Sequence, residues 1–384
     1  MNRLYKVILT VLVAGFFSAC TDDFDEINTN PNDPVAVGAN FLLPSIIADP
    51  ATSWIGNDGW NRGNVAMQIS AVNNFTQFDQ MGWAGGNWNT MYQRLRDVQT
   101  MIGIAQESGN AAVEGVGLVM QSWIVSVLTD QYGDVPFSEG NKAKEGDFTP
   151  SYDTQESIYN TLLTDLATAN SLLTQGGAID GDLLYEGDAF KWQKFANSLR
   201  IRMLMRLEKK HGGSTVGAEI QSILDSNPVF ESNDDNATFP YLATFPNQNP
   251  RHSGRVGGFD EKRMSQKAEI RMKAINDPRM LVYFRPVDNP DTLSAYFGED
   301  LAGITASSGM NRTAFRDFLV NAYNADPNSV RQYYNTFKGL PNGLSENNAI
   351  IFNGSRQNQS RLGEIVRELP NGVDMHFMTY AELS

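Results

Sequence analysis

The chain has 384 residues, 41% hydrophobic and 19% charged, and its 30 Lys and Arg stand against 44 Asp and Glu for a formal net charge of −14. An acidic balance of this size excludes nucleic acid as a partner, because phosphates need a basic patch, and it excludes electrostatic adhesion to anionic lipid. A single cysteine excludes an internal disulfide, so stability has to come from a buried core, which a chain of this length can build.

That cysteine, Cys20, closes the run Phe17-Ser18-Ala19-Cys20. Ahead of it Arg3 and Lys6 make a basic start, and residues 7–17 form an apolar stretch of about eleven residues, too short to span a bilayer and suited to a secretory signal. Small residues directly before a cysteine resemble the bacterial lipobox, whose cysteine becomes the lipidated N-terminus of the mature chain. Residues 1–19 are then a signal peptide, and losing Arg3 and Lys6 takes the charge to −16. Residues 20–36 read as a lipid-anchored acidic tether, since Asp22, Asp23, Asp25, Glu26, Pro31 and Pro34 all oppose a helix. An acidic patch behind a lipidated cysteine resembles the signal that sends lipoproteins to the cell surface. No second apolar stretch reads as approaching the roughly 18 residues of a membrane span.

Residues 37–384 form one domain, mainly α, with long loops and few short strands. Helical spacing of Trp88, Met91, Tyr92, Leu95, Val98 and Ile102 predicts a helix over 88–106. A second helix, over 111–129, carries Val116, Met120, Trp123 and Val127 on one stripe with Ile124 and Leu128 beside it, so it is buried on most sides. A third begins at a capping box of Asp153 and Glu156, continues through Ile158, Leu162, Leu166, Ala169 and Leu173, and ends at Gly176-Gly177. The fourth, over 188–210, turns Trp192, Phe195, Leu199, Met203 and Leu207 inward and sets Lys209 and Lys210 at the negative end of its dipole. Shorter helices are predicted over 217–226, 262–276 and 311–324, and one short strand over 349–353. Paired helices suggest stacked hairpins, although no repeat matches a tetratricopeptide consensus. The loops 43–87, 131–152, 228–262 and 277–310 are long enough to carry function.

Five segments taken in order, "FDEINTNPNDP" at 24–34, "LTDQYGDVPFSEG" at 128–140, "KWQKFANSLRIRMLMRL" at 191–207, "NDPRMLVYF" at 276–284 and "MTYAEL" at 378–383, together resemble the SusD/RagB family of outer-membrane nutrient-binding lipoproteins. The resemblance implies tetratricopeptide-like helical hairpins beneath a loop-rich binding region. It implies a SusC-like TonB-dependent transporter as partner, with the lipoprotein as its lid, and an oligosaccharide or other nutrient as ligand. It also implies a further pair of helices beyond "MTYAEL", which this sequence lacks, and with them a more stable fold.

The residues within these segments read as architecture. Asp130 and Asp134 suit hydrogen bonds to local backbone at a helix exit, and Arg200, Arg202 and Arg206 suit pairing with carboxylates of neighbouring helices. Asp277-Pro278 ends a helix, because the residue before proline is pushed out of the α region. Asp180-Gly181-Asp182 and Asp234-Asp235-Asn236 fall short of a full calcium loop and read as solvated turns. His211, His252 and His376 are far apart in sequence, and no HExxH, GxSxG, Walker or dinucleotide pattern occurs, so no cofactor and no metal is expected. A surface enzyme that degrades glycans through two carboxylates is the alternative, and a structural lipoprotein that steadies a transporter is a third reading.

A sugar site needs flat apolar faces for the pyranose ring, bordered by amides and hydroxyls. Residues 53–88 are richest in both: Trp54, Trp60 and Trp83 lie among glycines and polar residues without helical spacing, with Asn73 and Asn74 among the amides. Each tryptophan reads equally as a stacking platform or as packing that anchors its loop, whereas Trp88 and Tyr92 read as core. Tyr296-Phe297 is a weaker candidate.

Overall fold

The computed structural model describes residues 38–53, 63, 67–74, 76–79, 86–143, 146, 148–250, 252, 262–287, 305–306, 309–310, 321, 324–326, 328, 331–354, 359–363 and 374–383. The chain divides into two units, Met1–Gly38 and Ala39–Ser384, and every described residue except Gly38 belongs to the second. The signal peptide, Cys20, the tether, Trp54, Trp60, Trp83, Tyr296-Phe297 and most of the predicted helix 311–324 lie outside the described residues.

The fold is mainly helical. Six helices follow one another, α1 (Ala39–Ser53), α2 (Trp88–Ser108), α3 (Ala111–Tyr132), α4 (Gln155–Leu173), α5 (Ala189–His211) and α6 (Gly213–Ser226), and each packs on the next. Only Gly109 and Asn110 separate α2 from α3, which forces the two into an antiparallel hairpin, and the Asn110 side chain caps α3 by accepting from Val113 N at 3.1 Å. The expected stripes face inward: Met91, Leu95 and Val98 on α2, Ile158, Leu162, Leu166, Ala169 and Leu173 on α4, and Trp192, Phe195, Leu199 and Met203 on α5 are all buried.

α3 is buried almost throughout, from Ala112 to Thr129. By length and composition alone it could cross a membrane, which corrects the expectation that no second stretch reaches that length; here its apolar surface is covered by protein. Two glycines let its neighbours approach. A Cβ on Gly117 would lie 2.5 Å from Ile102 Cγ1 of α2, and one on Gly115 would lie 2.8 Å from Leu173 Cγ of α4.

Four sequence expectations are corrected. α1 forms inside the predicted loop 43–87 despite Pro44 and Pro50, because Leu43, Ile46, Ile47 and Ala51 bury its inner face against α2. The cap of α4 is Thr154, which accepts from Ser157 N, while Asp153 instead accepts from the backbone N–H groups of Phe137 and Ser138 at 2.8 Å each. Residues 262–276 split into a strand and a helix. Residues 349–353 are no strand: Ala349, Ile350 and Ile351 lie in a short helix and the next turn is 3-10.

A second, loop-rich part is stitched by short strands. β1 (Ser70–Val72) pairs antiparallel with β3 (Lys262–Met264), Ser70 opposite Met264, and β3 runs on into α7 (Gln266–Ala274) and then α8 (Arg279–Tyr283). Single bridges join Ser265 to Leu340, Arg263 to Arg361 and Phe284 to Leu362. A two-residue ladder joins β4 (Thr305–Ala306) to β5 (Gly309–Met310). Between β1 and β3 in the chain comes β2 (Ala237–Phe239), which pairs with the last strand, β6 (Met375–Met378). That last strand docks on the helical core: Trp123 Nε1 of α3 donates to Phe377 O at 3.0 Å, and the two rings meet edge to face at 4.7 Å.

Gly115→Val is expected to force α3 and α4 apart and to destabilise the protein by about 1–3 kcal/mol, as overpacking does. Gly103→Ala, where a Cβ meets nothing within 4 Å, should raise stability by up to about 1 kcal/mol through helix propensity. Thermal unfolding of the two variants checks both signs.

Candidate ligand-binding site

The segment that carries Trp54, Trp60 and Trp83 leaves the helical layer at Ser53, the end of α1, and returns at Asn87, just before α2. The two points are joined, since Asn87 Nδ2 donates to Ser53 O at 3.1 Å and Asn87 is itself buried. A 33-residue excursion, residues 54–86, is thereby closed at its base. Its middle is held as well. Asp79 Oδ2 accepts from Val72 N at 2.7 Å, and Asn342 Nδ2 donates to Ser70 O at 2.8 Å. Burial pushes the Asp79 carboxyl above its ordinary range, against the pull of the Val72 N–H and the Lys262 charge.

Of the two asparagines singled out in sequence, Asn73 is 1% exposed and donates to Gln359 Oε1 at 3.2 Å. Gln359, fully buried, passes the connection on to Ala349 O at 2.6 Å and Phe352 O at 3.1 Å. Asn73 therefore acts as a strut that fixes β1 to the 346–354 turn. Asn74 is half-buried and sits one residue further along the same excursion.

Beside the closed base lies an aromatic cluster. Trp88, at the first position of α2, is half-buried; its ring meets Tyr92 at 4.8 Å and Tyr132, the last residue of α3, edge to face at 4.9 Å. Tyr132 is 36% exposed, and Tyr92 OH donates to Pro136 O at 2.7 Å. Burial, with the nearby Tyr152 and Asp153 adding to it, pushes the Tyr92 hydroxyl up, so it stays a donor at any physiological pH. Trp88 and Tyr92 do pack on the core, as expected. That Tyr132 packs against Trp88 is not legible in sequence, because more than forty residues separate the two and only the hairpin turn brings them together.

The family described as starch-binding and associating with the outer membrane matches residues 31–384. The chain belongs to the SusD-like family. Solved structures agree on the fold. A SusD homologue from Bacteroides fragilis superposes with a TM-score of 0.69 at 22% identity, over 91% of this chain and 66% of its own. A SusD/RagB family protein from Bacteroides thetaiotaomicron gives 0.65 at 21% identity, over 91% and 66%. A chitin-binding protein gives 0.66 at 20% identity, over 90% and 67%. This chain thus spans about two thirds of the length of these relatives. No curated protein matches it.

In this SusD-like chain, the charged residues of the "KWQKFANSLRIRMLMRL" helix serve the fold. Arg200 pairs with Glu219 at 3.7 Å, Arg202 with Glu382 at 3.0 Å, and Arg206 with Asp130, which also accepts from Tyr159 OH at 2.6 Å. Asp134 does bond backbone, accepting from Gln155 N at 2.8 Å, whereas Asp130 serves side chains of α4 and α5. The two acidic loops are solvated turns only in part: Asp180, Gly181 and Asp234 are exposed, whereas Asp182 and Asp235 are buried. Asp182 is 8% exposed and accepts from Leu184 N, Gly187 N and Trp192 Nε1, the last at 2.8 Å. Gly181 beside it, at φ +78, fits against the Asn40 carbonyl and the Pro44 ring of α1, where a Cβ would come within 2.8 Å of the carbonyl oxygen. Among the described residues no group of three or more His, Cys, Asp or Glu comes together in a way that could hold a metal ion.

Asp235 is 7% exposed and takes both Lys194 Nζ, at 3.1 Å, and the Glu231 N–H, at 2.8 Å. Burial opposes its ionisation, but the Glu231 N–H and Lys194 outweigh burial and hold the carboxyl below its ordinary value. Burial likewise opposes the Lys194 charge, and its bonds to Glu231 and Asp235 reverse that and push the ammonium up. The stability Asp235 contributes is therefore complete above its unfolded value of 3.8 and is lost as pH falls through the lowered folded value. Lys194→Met, which strands a buried carboxylate, is expected to cost about 3–5 kcal/mol at neutral pH. Denaturant titrations at decreasing pH should show that cost shrinking as the stranded Asp235 carboxylate protonates in the variant, at a higher pH than in the wild type.

Proposed function

We propose that this chain is a surface-displayed outer-membrane lipoprotein that binds an oligosaccharide and delivers it to a SusC-like TonB-dependent transporter. The observation that carries the reading is the match of a starch-binding, outer-membrane family over residues 31–384. The similarity to a chitin-binding protein favours a glycan over other nutrients. Residues 54–86 are the binding segment in this reading. Their base is closed by Asn87 and Ser53, and their middle by Asn73, Asp79 and Asn342.

Capture proceeds by stacking of sugar faces on Trp54, Trp60 and Trp83, with Asn74 and neighbouring amides bonding ring hydroxyls; the protein binds and does not hydrolyse. Hand-over needs the binder to stay beside its transporter, and Cys20 supplies the anchor. One acyl chain, at roughly 0.8 kcal/mol per buried methylene, holds only marginally, so several chains on the cysteine are required.

A glycan array probed with the full chain and with Trp54→Ala, Trp60→Ala and Trp83→Ala tests the site. At least one substitution should abolish the wild-type signal; undiminished binding in all three removes the segment from consideration. In cells, Cys20→Ser should move the protein out of the membrane fraction and stop assisted uptake while purified protein keeps its affinity. Uptake at the wild-type rate would contradict the anchor.

A further inference from the structure

Where α2, α3 and α4 meet, the surface opens into a cleft of about 270 Å³, which we call the cavity, with Ser138, Ser157 and Thr161 exposed on its rim and Gln121, Phe137 and Ile158 buried beneath. Each helix sends a polar side chain into it: Gln99 from α2, Gln121 from α3 and Asp165 from α4. Gln121 is the telling one. It is 8% exposed on a helix otherwise buried in apolar contacts, and its amide reaches only Asp165 Oδ2, at a long 3.3 Å. A buried amide held this loosely contributes little to the fold, and burying it is costly unless something completes its bonding.

The lining is rich in acceptors. Asp165 has a second oxygen with no partner among the described residues. Thr161 and Ser157 spend their hydroxyl protons on backbone carbonyls of their own helix turns, at 3.0 and 2.9 Å, which leaves their oxygens to accept. Phe137, 9% exposed, gives the cavity an apolar wall. Acceptors on several sides and one aromatic wall fit a ligand that carries hydroxyl donors around an apolar ring face. The volume lies just below the roughly 300–1,000 Å³ typical of small-molecule pockets, which suits one sugar residue and not a chain of them.

We propose that this cavity is a second carbohydrate site, separate from residues 54–86, that takes a single neutral sugar residue. No Lys or Arg lines it, which disfavours an anionic sugar. Burial pushes the Asp165 carboxyl up, against the Gln121 hydrogen bond, and this weakens its attraction for a cation relative to a neutral hydroxyl. The site rests on its own lining and stands whether or not the tryptophan segment binds glycan.

Saturation-transfer NMR with a panel of methyl hexopyranosides, applied to the full chain, tests it. Thr161 is exposed on α4, so Thr161→Phe can plug the cavity without entering the core, and it should weaken the responding glycoside by at least about tenfold. Asp165→Leu removes the acceptor pair and should also lose the signal. Circular dichroism and a cooperative thermal transition like those of the wild type should accompany that loss. Loss of binding in a variant that still melts cooperatively cannot come from misfolding. The proposal fails if no glycoside responds to the wild type, if the response survives Thr161→Phe, or if a small amine responds and no glycoside does. A response that survives Thr161→Phe but falls in the tryptophan variants belongs to residues 54–86 and likewise overturns the cavity.

Discussion

Burial of α3 on nearly every side is the constraint on which the rest of the helical layer depends. A helix with no solvent face must be enclosed, and α2 and α4 enclose it from both flanks at the closeness that Gly115 and Gly117 allow. Two of its polar side chains tie it to distant elements. Trp123 reaches the backbone of β6, and Asp130 reaches α4 and α5. α3 therefore ties the middle of the chain to its last strand, and the separation of more than 250 residues between Trp123 and Phe377 is bridged by one hydrogen bond and one ring contact.

The loop-rich part combines two forces. It buries apolar residues of its own, among them Met264, Met280, Phe284, Phe337 and Leu340. Buried polar bonds add to these: Asn73 to Gln359, Val72 N to Asp79 and Asn342 to Ser70. Such bonds are directional, so they define a geometry more sharply than apolar contact, and each is costly to leave unmade.

The helices were legible because a 3.6-residue period survives in any single strip of sequence, and α2, α4 and α5 bury the residues that the period selects. The failures have specific causes. α1 was hidden by Pro44 and Pro50, whose cost is overcome by burial of Leu43, Ile46 and Ile47, a tertiary effect. Residues 349–353 form a short apolar run, in which strand and helix cannot be told apart by period. Asp182 and Asp235 looked like surface acids because charge alone does not reveal partners ten or forty residues away, Trp192 and Lys194. At the candidate site, Asn73 and Asn74 were indistinguishable in sequence, and only the position of Gln359 separates strut from neighbour.

By itself the sequence determined the mainly helical class, the inward stripes of the long helices and, through motifs spread along the chain, membership of the SusD-like family. Those features are local or additive, so each can be read where it stands. Tertiary structure alone decided that a helix apolar enough for a membrane lies in a protein core, that a segment with three tryptophans is closed at its base, and that Gln99, Gln121 and Asp165 meet around one cavity. Each of these depends on which surfaces come to face one another, and facing is a property of the packed chain that no window of residues contains.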